Sequence, residues 1–268
     1  MSYASEVLAD SPLVYLKLDE TSGSTANDSS GNGYNFTYTS AAQLNSGVTA
    51  DGSVAVGTDG TNAIAKYGSL VPGLGSPTAF TLEAYVYIET TVESGGFIAV
   101  GNNGGNGYGY GVGGPSSFEQ TGNQFDGLAD TLAWKNTGVN LGTGWRHVVL
   151  ARDATGWFYY LGGSLVSSLS AQSIATATSE VYIGGYTAGG RALSAGNKMA
   201  HAAIYTSRLS GARIATHAAA GANYQIMDTL LAGAVGTQPS PFYPFGEGVS
   251  GGGAVVPTTG QTWPRGNW

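Results

Sequence analysis

Apolar and polar residues alternate most regularly over Thr81–Ile88, where Leu82, Ala84, Val86 and Ile88 share one face and Thr81, Glu83, Tyr85 and Tyr87 the other. A period of two is that of a strand with one buried face. Tyr34, Phe36 and Tyr38 alternate with Asn35, Thr37 and Thr39 in the same way. Short apolar runs at Leu13–Leu18, Phe97–Val100, Tyr108–Val112, Trp145–Arg152, Trp157–Leu161, Val181–Gly184 and Met199–Tyr205 predict further strands. Ser2 is an N-cap for a short helix that Asp10-Ser11-Pro12 stops, and Ser210 caps another that ends near Gly221. A third helical stretch, Tyr224–Leu231, places Met227, Leu230 and Leu231 on one face and is expected to pack on the strands, the alternative being a neighbouring subunit. Many short strands with Gly-rich turns, and no β–α alternation, predict an all-β fold. Its form is a two-sheet antiparallel jelly-roll sandwich with short peripheral helices.

Composition supports strands and turns. Gly supplies 44 of 268 residues with no G-X-Y period, and Tyr supplies 16. A net charge of −7, with scattered basic residues, excludes nucleic-acid binding through phosphate neutralisation. Cys is absent, so disulfides and thiolate metal sites are excluded. No basic-then-apolar leader precedes Tyr3 and no apolar run reaches the ~20 residues of a membrane span. Membrane insertion is not expected, and if the protein works outside cells it is expected to leave by another route, such as lysis or assembly into a particle.

The chain divides into a sandwich over 1–221, a helical connector over 222–237 and an extended Gly/Pro/aromatic arm over 238–268. The arm has no core of its own. Ser250-Gly251-Gly252-Gly253 suits a flexible linker, but Phe242, Tyr243, Phe245, Trp263 and Trp268 are more aromatics than a solvating linker carries. They are expected to anchor the arm on a partner.

Five segments resemble the laminin-G-like branch of the concanavalin A-like lectin/glucanase superfamily. They are Tyr3–Glu20, Asn27-Asp28-Ser29-Ser30-Gly31-Asn32-Gly33, Phe80-Thr81-Leu82-Glu83-Ala84-Tyr85-Val86, Trp145-Arg146-His147-Val148-Val149-Leu150 and Ala203–Ser210. The resemblance is closest in kind to domains of bacteriophage virion proteins, both minor tail and head-surface. It implies a non-enzymatic structural protein on the particle surface, as head decoration or tail-associated, with a lectin-like domain facing outward. The expected partners are other virion proteins, copies of itself and cell-surface glycans. A free carbohydrate-binding module or lectin is the alternative, and a glycoside hydrolase the third. Two departures stand out: Ala200 and His201 occupy positions where the family often carries an acidic pair, and Tyr160-Leu161-Gly162-Gly163 replaces its Tyr-hydrophobic-Asp-Gly hairpin.

Hydrolysis of a glycoside needs two carboxyl groups flanking the bond, and no Glu-x-Asp-x-x-Glu run is present. Glu83 has no acidic neighbour on its strand and is expected to be structural, hydrogen-bonded to backbone or solvent. His147, His201 and His217 form no metal-type pair and are expected to be structural. Asp28 and Asn32 offer oxygens for Ca²⁺ beside loop carbonyls, or else an Asx-turn that closes the loop. Tyr108, Tyr110, Trp134 and Tyr186, with Asn106 and Asn123 nearby, form a candidate carbohydrate-binding group of aromatic faces beside hydrogen-bonding amides.

Overall fold

The alternation over Thr81–Ile88 does form a strand, but both of its faces are buried. The reason lies in the layers around it. A computed structural model describes residues 2–47, 54–102, 106–115, 120–129, 134–171, 173–186 and 191–221. In chain order the elements are α1 (Tyr3–Ala9), β1 (Val14–Leu16), β2 (Thr25–Ala26), β3 (Phe36–Tyr38), β4 (Ala42–Gln43), β5 (Val56–Thr58), β6 (Ala65–Tyr67) and β7 (Phe80–Ile88). There follow β8 (Gly95–Asn102), β9 (Asn106–Gly113), β10 (Gln124–Leu128), β11 (Trp134–Asn140), β12 (Gly144–Asp153) and β13 (Gly156–Leu161). The last are β14 (Ser164–Ser170), β15 (Val181–Ile183), β16 (Lys198–Tyr205) and α2 (Gly211–Gly221).

Two antiparallel sheets result. The first runs β14-β13-β12-β7-β16-β5-β4, with β1 also on β16, and the second runs β11-β10-β9-β8-β15-β6-β3-β2. Leu82, Ala84, Val86 and Ile88 meet Phe97, Ile98, Tyr108, Tyr110 and Val112 in the core between the sheets. The opposite face of the first sheet is not solvated, because α1 and α2 lie on it. Tyr3, Val7 and Ile214 pack there with Tyr85, Trp145 and Val149 as a separate apolar cluster. The all-β sandwich with peripheral helices is as expected. The connector 222–237 and the arm 238–268 lie outside the described residues.

Local chemistry sets the element ends. Ser2 caps α1, its Oγ accepting from Ser5 N at 3.2 Å, and Ser210 Oγ accepts from Arg213 N at 3.2 Å to cap α2. The strand expected over Leu13–Leu18 stops at Leu16, and Leu18 turns with φ 58°. In β16 the pairing with β7 slips between Ala200 and Ala203, and His201 takes φ 55° in that bulge. The bulge aims the His201 ring at Tyr15, with Nδ1 2.7 Å from its hydroxyl.

Leu82 is fully buried at the centre of the intersheet core. Leu82→Ala is expected to cost about 2–5 kcal/mol. Urea unfolding checks this, as a fall in midpoint at unchanged slope.

Candidate functional site

Two places in the described residues gather polar side chains: the covered face of the first sheet, and a cleft at one end of the second. On the covered face, Glu83 projects from β7 with its side chain wholly buried. Its Oε1 accepts from the Tyr3 hydroxyl at 2.7 Å and from His147 Nε2 at 2.7 Å. His217 Nδ1 from α2 lies 3.0 Å from Oε1 and 3.1 Å from Oε2. The other nitrogen of His217 is 2.9 Å from Asp10 Oδ2, and Arg213 joins Asp10 at 2.9 Å and Glu6 at 3.0 Å. Burial alone would raise the Glu83 pKa, but hydrogen bonds from His147 and His217 outweigh it and hold the carboxyl well below its usual range. For His217, burial would lower the pKa, but the hydrogen bond and charge of Glu83, then the charge of Asp10, raise it above the ordinary histidine value.

The partners of Glu83 are side chains from α1, β12 and α2, where backbone or solvent was expected. Glu83, His147 and His217 are buried, and Asp10 and Arg213 are partly exposed. Sequence spacing could not show that His147 and His217 converge, because they lie 64 and 134 residues from Glu83.

The residues expected to stack on sugar fare differently. Tyr108 and Tyr110 are core residues. Their hydroxyls donate to Leu74 O at 3.1 Å and Val148 O at 3.2 Å, and Tyr108 stacks on Phe80 with centroids 4.5 Å apart. Their alternation with glycines 107, 109, 111 and 113 turns both rings inward, which removes them from any binding surface. Tyr186 is buried against Ala99 and Leu128 beneath the Arg191 guanidinium, 5.0 Å from its ring centroid, so its faces are not free to stack on a ligand. The backbone of Trp134 pairs with Leu128 in the ladder, and its side chain lies outside the described residues. So do Phe242, Tyr243, Phe245, Trp263 and Trp268.

The Asp28 loop does not fit a calcium ion. Asp28 Oδ1 accepts from Tyr15 N and Ser30 N, both at 2.9 Å, and Oδ2 accepts from Ser30 Oγ at 2.8 Å and Tyr34 N at 2.9 Å. Asn32 turns its amide nitrogen to the loop, donating to Leu13 O at 3.0 Å. Four donors occupy the carboxylate, so Asp28 and Asn32 close the loop by hydrogen bonds, the Asx-turn alternative.

The open cleft, about 260 Å³, lies where β9, β10 and β11 meet the β7–β8 and β11–β12 connections. Thr91, Asn123, Gln124, Asn140, Pro115 and glycine backbone line it. Asn123 ties its walls together. Its Nδ2 donates to Thr90 O at 3.2 Å, its Oδ1 accepts from Gly142 N at 2.5 Å, and its carbonyl accepts from Leu141 N at 2.8 Å. Behind it, buried Glu93 accepts from Thr90 N at 2.8 Å and from Asn197 Nδ2 at 2.5 Å. Of the residues singled out from sequence for sugar binding, Asn123 lines this cleft, and Tyr108, Tyr110 and Tyr186 are not among its described lining. Glu93, Gln124, Asn140 and Asn197 carry no periodic or motif signal, and only the fold brings them together.

Beside Gln124, on the same face of β10, Asp126 is fully buried. Its Oδ1 accepts from Asn136 Nδ2 at 2.5 Å, and Asn136 Nδ2 also lies 3.2 Å from Gly114 O on the cleft wall. Asp126 Oδ2 has no hydrogen-bond partner among the described residues. Burial raises the Asp126 pKa to about 7, against the lowering by Asn136.

A laminin-G family model described as the concanavalin A-like lectin/glucanases superfamily matches residues 59–215, and the chain belongs to this superfamily. No curated protein sequence matches the chain. Among solved structures, Trypanosoma rangeli sialidase in complex with the inhibitor DANA aligns at TM-score 0.55 and 18% identity. The match covers 76% of this chain and 32% of that one, so this chain spans about a third of the sialidase. Domain 4 of an extracellular arabinanase from Geobacillus stearothermophilus, in complex with arabinotriose, aligns at TM-score 0.51 and 18% identity over 77% of this chain and 98% of that one. The binding domain of botulinum neurotoxin serotype D aligns at TM-score 0.55 and 13% identity, over 81% and 52%. These likenesses show the fold.

The raised pKa of Asp126 sets a pH dependence. Its folded value of about 7 lies above the ~3.9 of an unfolded Asp, so stability is full below pH ~4 and is lost as pH rises through about 7. Asp126→Asn is expected to leave stability at pH 4 unchanged and to increase it at pH 8 by on the order of 4 kcal/mol at most, seen as a higher Tm. Thermal melts of both proteins at the two pH values check this.

Proposed function

We propose that this chain is a non-enzymatic glycan-recognition protein whose lectin-like sandwich takes one sugar unit in the cleft of Asn123, Gln124 and Asn140. The observation that carries this is the cleft's lining, which among the described residues holds amides, a threonine hydroxyl and backbone groups, with no carboxyl or imidazole group. Amides both donate and accept, which suits the hydroxyl edge of a neutral sugar. Glycosidic hydrolysis by the common route would need two carboxyl groups there. The arabinotriose complex of the arabinanase domain supports a saccharide as the class of ligand.

We place the protein on the surface of a bacteriophage particle, held to capsid or tail proteins and to its own copies through residues 238–268. The sequence resemblance to virion domains and the aromatic content of that segment support this setting.

On a glycan array, the full chain is expected to bind neutral oligosaccharides. Gln124→Ala and Asn140→Ala are each expected to weaken binding about tenfold, the loss of roughly one hydrogen bond, with the Tm unchanged. Absence of binding to every glycan would sink the recognition reading. Truncation after Gly236 is expected to abolish particle incorporation while the sandwich stays folded by circular dichroism. Unchanged incorporation would remove the anchoring role.

A further inference from the structure

Helix α1 has seven residues and α2 has eleven. Helices this short are marginal alone, and their order comes from tertiary contacts. Neither carries a basic residue in its last turn, and α2 has no acidic residue in its first, so dipole compensation adds little. The polar ties between them and the sheet include the Tyr3 hydroxyl on Glu83, the Tyr85 hydroxyl on the Ala218 carbonyl at 3.4 Å, and one imidazole that reaches both the sheet and the other helix. His217 faces Glu83 on β7 through Nδ1 and Asp10 at the C-terminus of α1 through Nε2. The other titratable groups around it are Arg213 on its own helix, Tyr3 and Glu6 on α1, Tyr85 on β7, and His147 on β12, which shares Glu83.

We propose that the Glu83–His217–Asp10 relay is a proton-released latch: losing the His217 proton frees α1 and α2 from the sheet together, while the sandwich beneath stays folded. An imidazolium donates from both nitrogens and satisfies both carboxylates. A neutral imidazole has one N–H, so either Glu83 or Asp10 then faces a lone pair. Glu83 retains Tyr3 and His147, and Asp10 retains Arg213, so the two helices stay joined to each other through Arg213 and move as a pair. One of the two His217 bonds is lost, and the hold on the sheet falls to the Tyr3 and Tyr85 hydroxyls. The helices can leave without disturbing the intersheet core, because none of their residues belongs to it. Departure uncovers Tyr85, Trp145 and Val149, an aromatic-rich face, and detaches the point at Gly221 where the chain continues toward the arm.

The sign follows from linkage. The His217 pKa is raised in the fold, so the latch holds fully below the unfolded histidine value of ~6.5 and weakens as pH climbs toward the folded value. On the acid side, the contribution of Glu83 is present above the unfolded carboxyl value of ~4.3 and lost only well below it, because its folded pKa is lowered.

Native-state hydrogen exchange of the full chain from pH 6 to 9, corrected for intrinsic rates, tests this. Amides of α1 and α2 are expected to exchange through an opening less costly than that of β7, β12 and β16. Their protection should fall about tenfold per pH unit above about 6.5 until the folded pKa is passed. In His217→Gln that slope should vanish. Equal protection for helices and central strands would overturn the proposal, as would a flat profile in the wild-type chain or a slope that survives in the variant. The wild-type profile stands by itself if the variant does not fold.

Discussion

A carboxylate sealed between a sheet and two helices is the constraint on which this architecture turns. An ionised group withdrawn from water costs several kcal/mol unless charge and hydrogen bonds replace the lost solvent. Glu83 obtains them from Tyr3 on α1, His147 on the adjacent strand and His217 on α2. Each donor comes from a different element, so the carboxylate fixes where the helices sit. That placement buries the second face of β7 and gives the first sheet an apolar layer on both sides.

The opposite arrangement holds at the cleft. There the buried acid, Glu93, stands behind the wall and spends its oxygens on Thr90 and Asn197, while the amides of Gln124 and Asn140 line the open space. Charge is used for framing and neutral amides are left for contact. On the proposed reading, such a surface would recognise by shape and hydrogen-bond pattern, with an affinity that responds little to salt.

The central strands were legible because their alternation survives burial. Leu82, Ala84, Val86 and Ile88 face the core as their spacing indicates, and the segments around Trp145, Trp157 and Met199 are strands extended by a residue or two. The strands β10, β11 and β14 were not legible. β11 and β14 lie at sheet edges, where Ser-Leu-Val-Ser-Ser-Leu-Ser and Trp-Lys-Asn-Thr-Gly-Val-Asn face solvent enough to blur any period. The contacts of Glu83 with His147 and His217 were not legible, since pairing across 64 to 134 residues leaves no local trace. Tyr108 and Tyr110 misled because, although their segment was expected to be a strand, alternation with glycines does not say which face the rings take. In β9 the glycines occupy the outer face and the rings the inner one.

The ion cluster also decides how this domain bears load. Its first helix and its last lie side by side, joined through Arg213 to Glu6 and Asp10, and Gly221 passes so close to Tyr85 that a Cβ there would sit 2.0 Å from its hydroxyl. Both ends of the described sandwich thus lie on one patch of two short helices, outside the long ladders of β7, β12 and β16. By this geometry, tension at those ends would load the helices as a peel before it could load the ladders in shear.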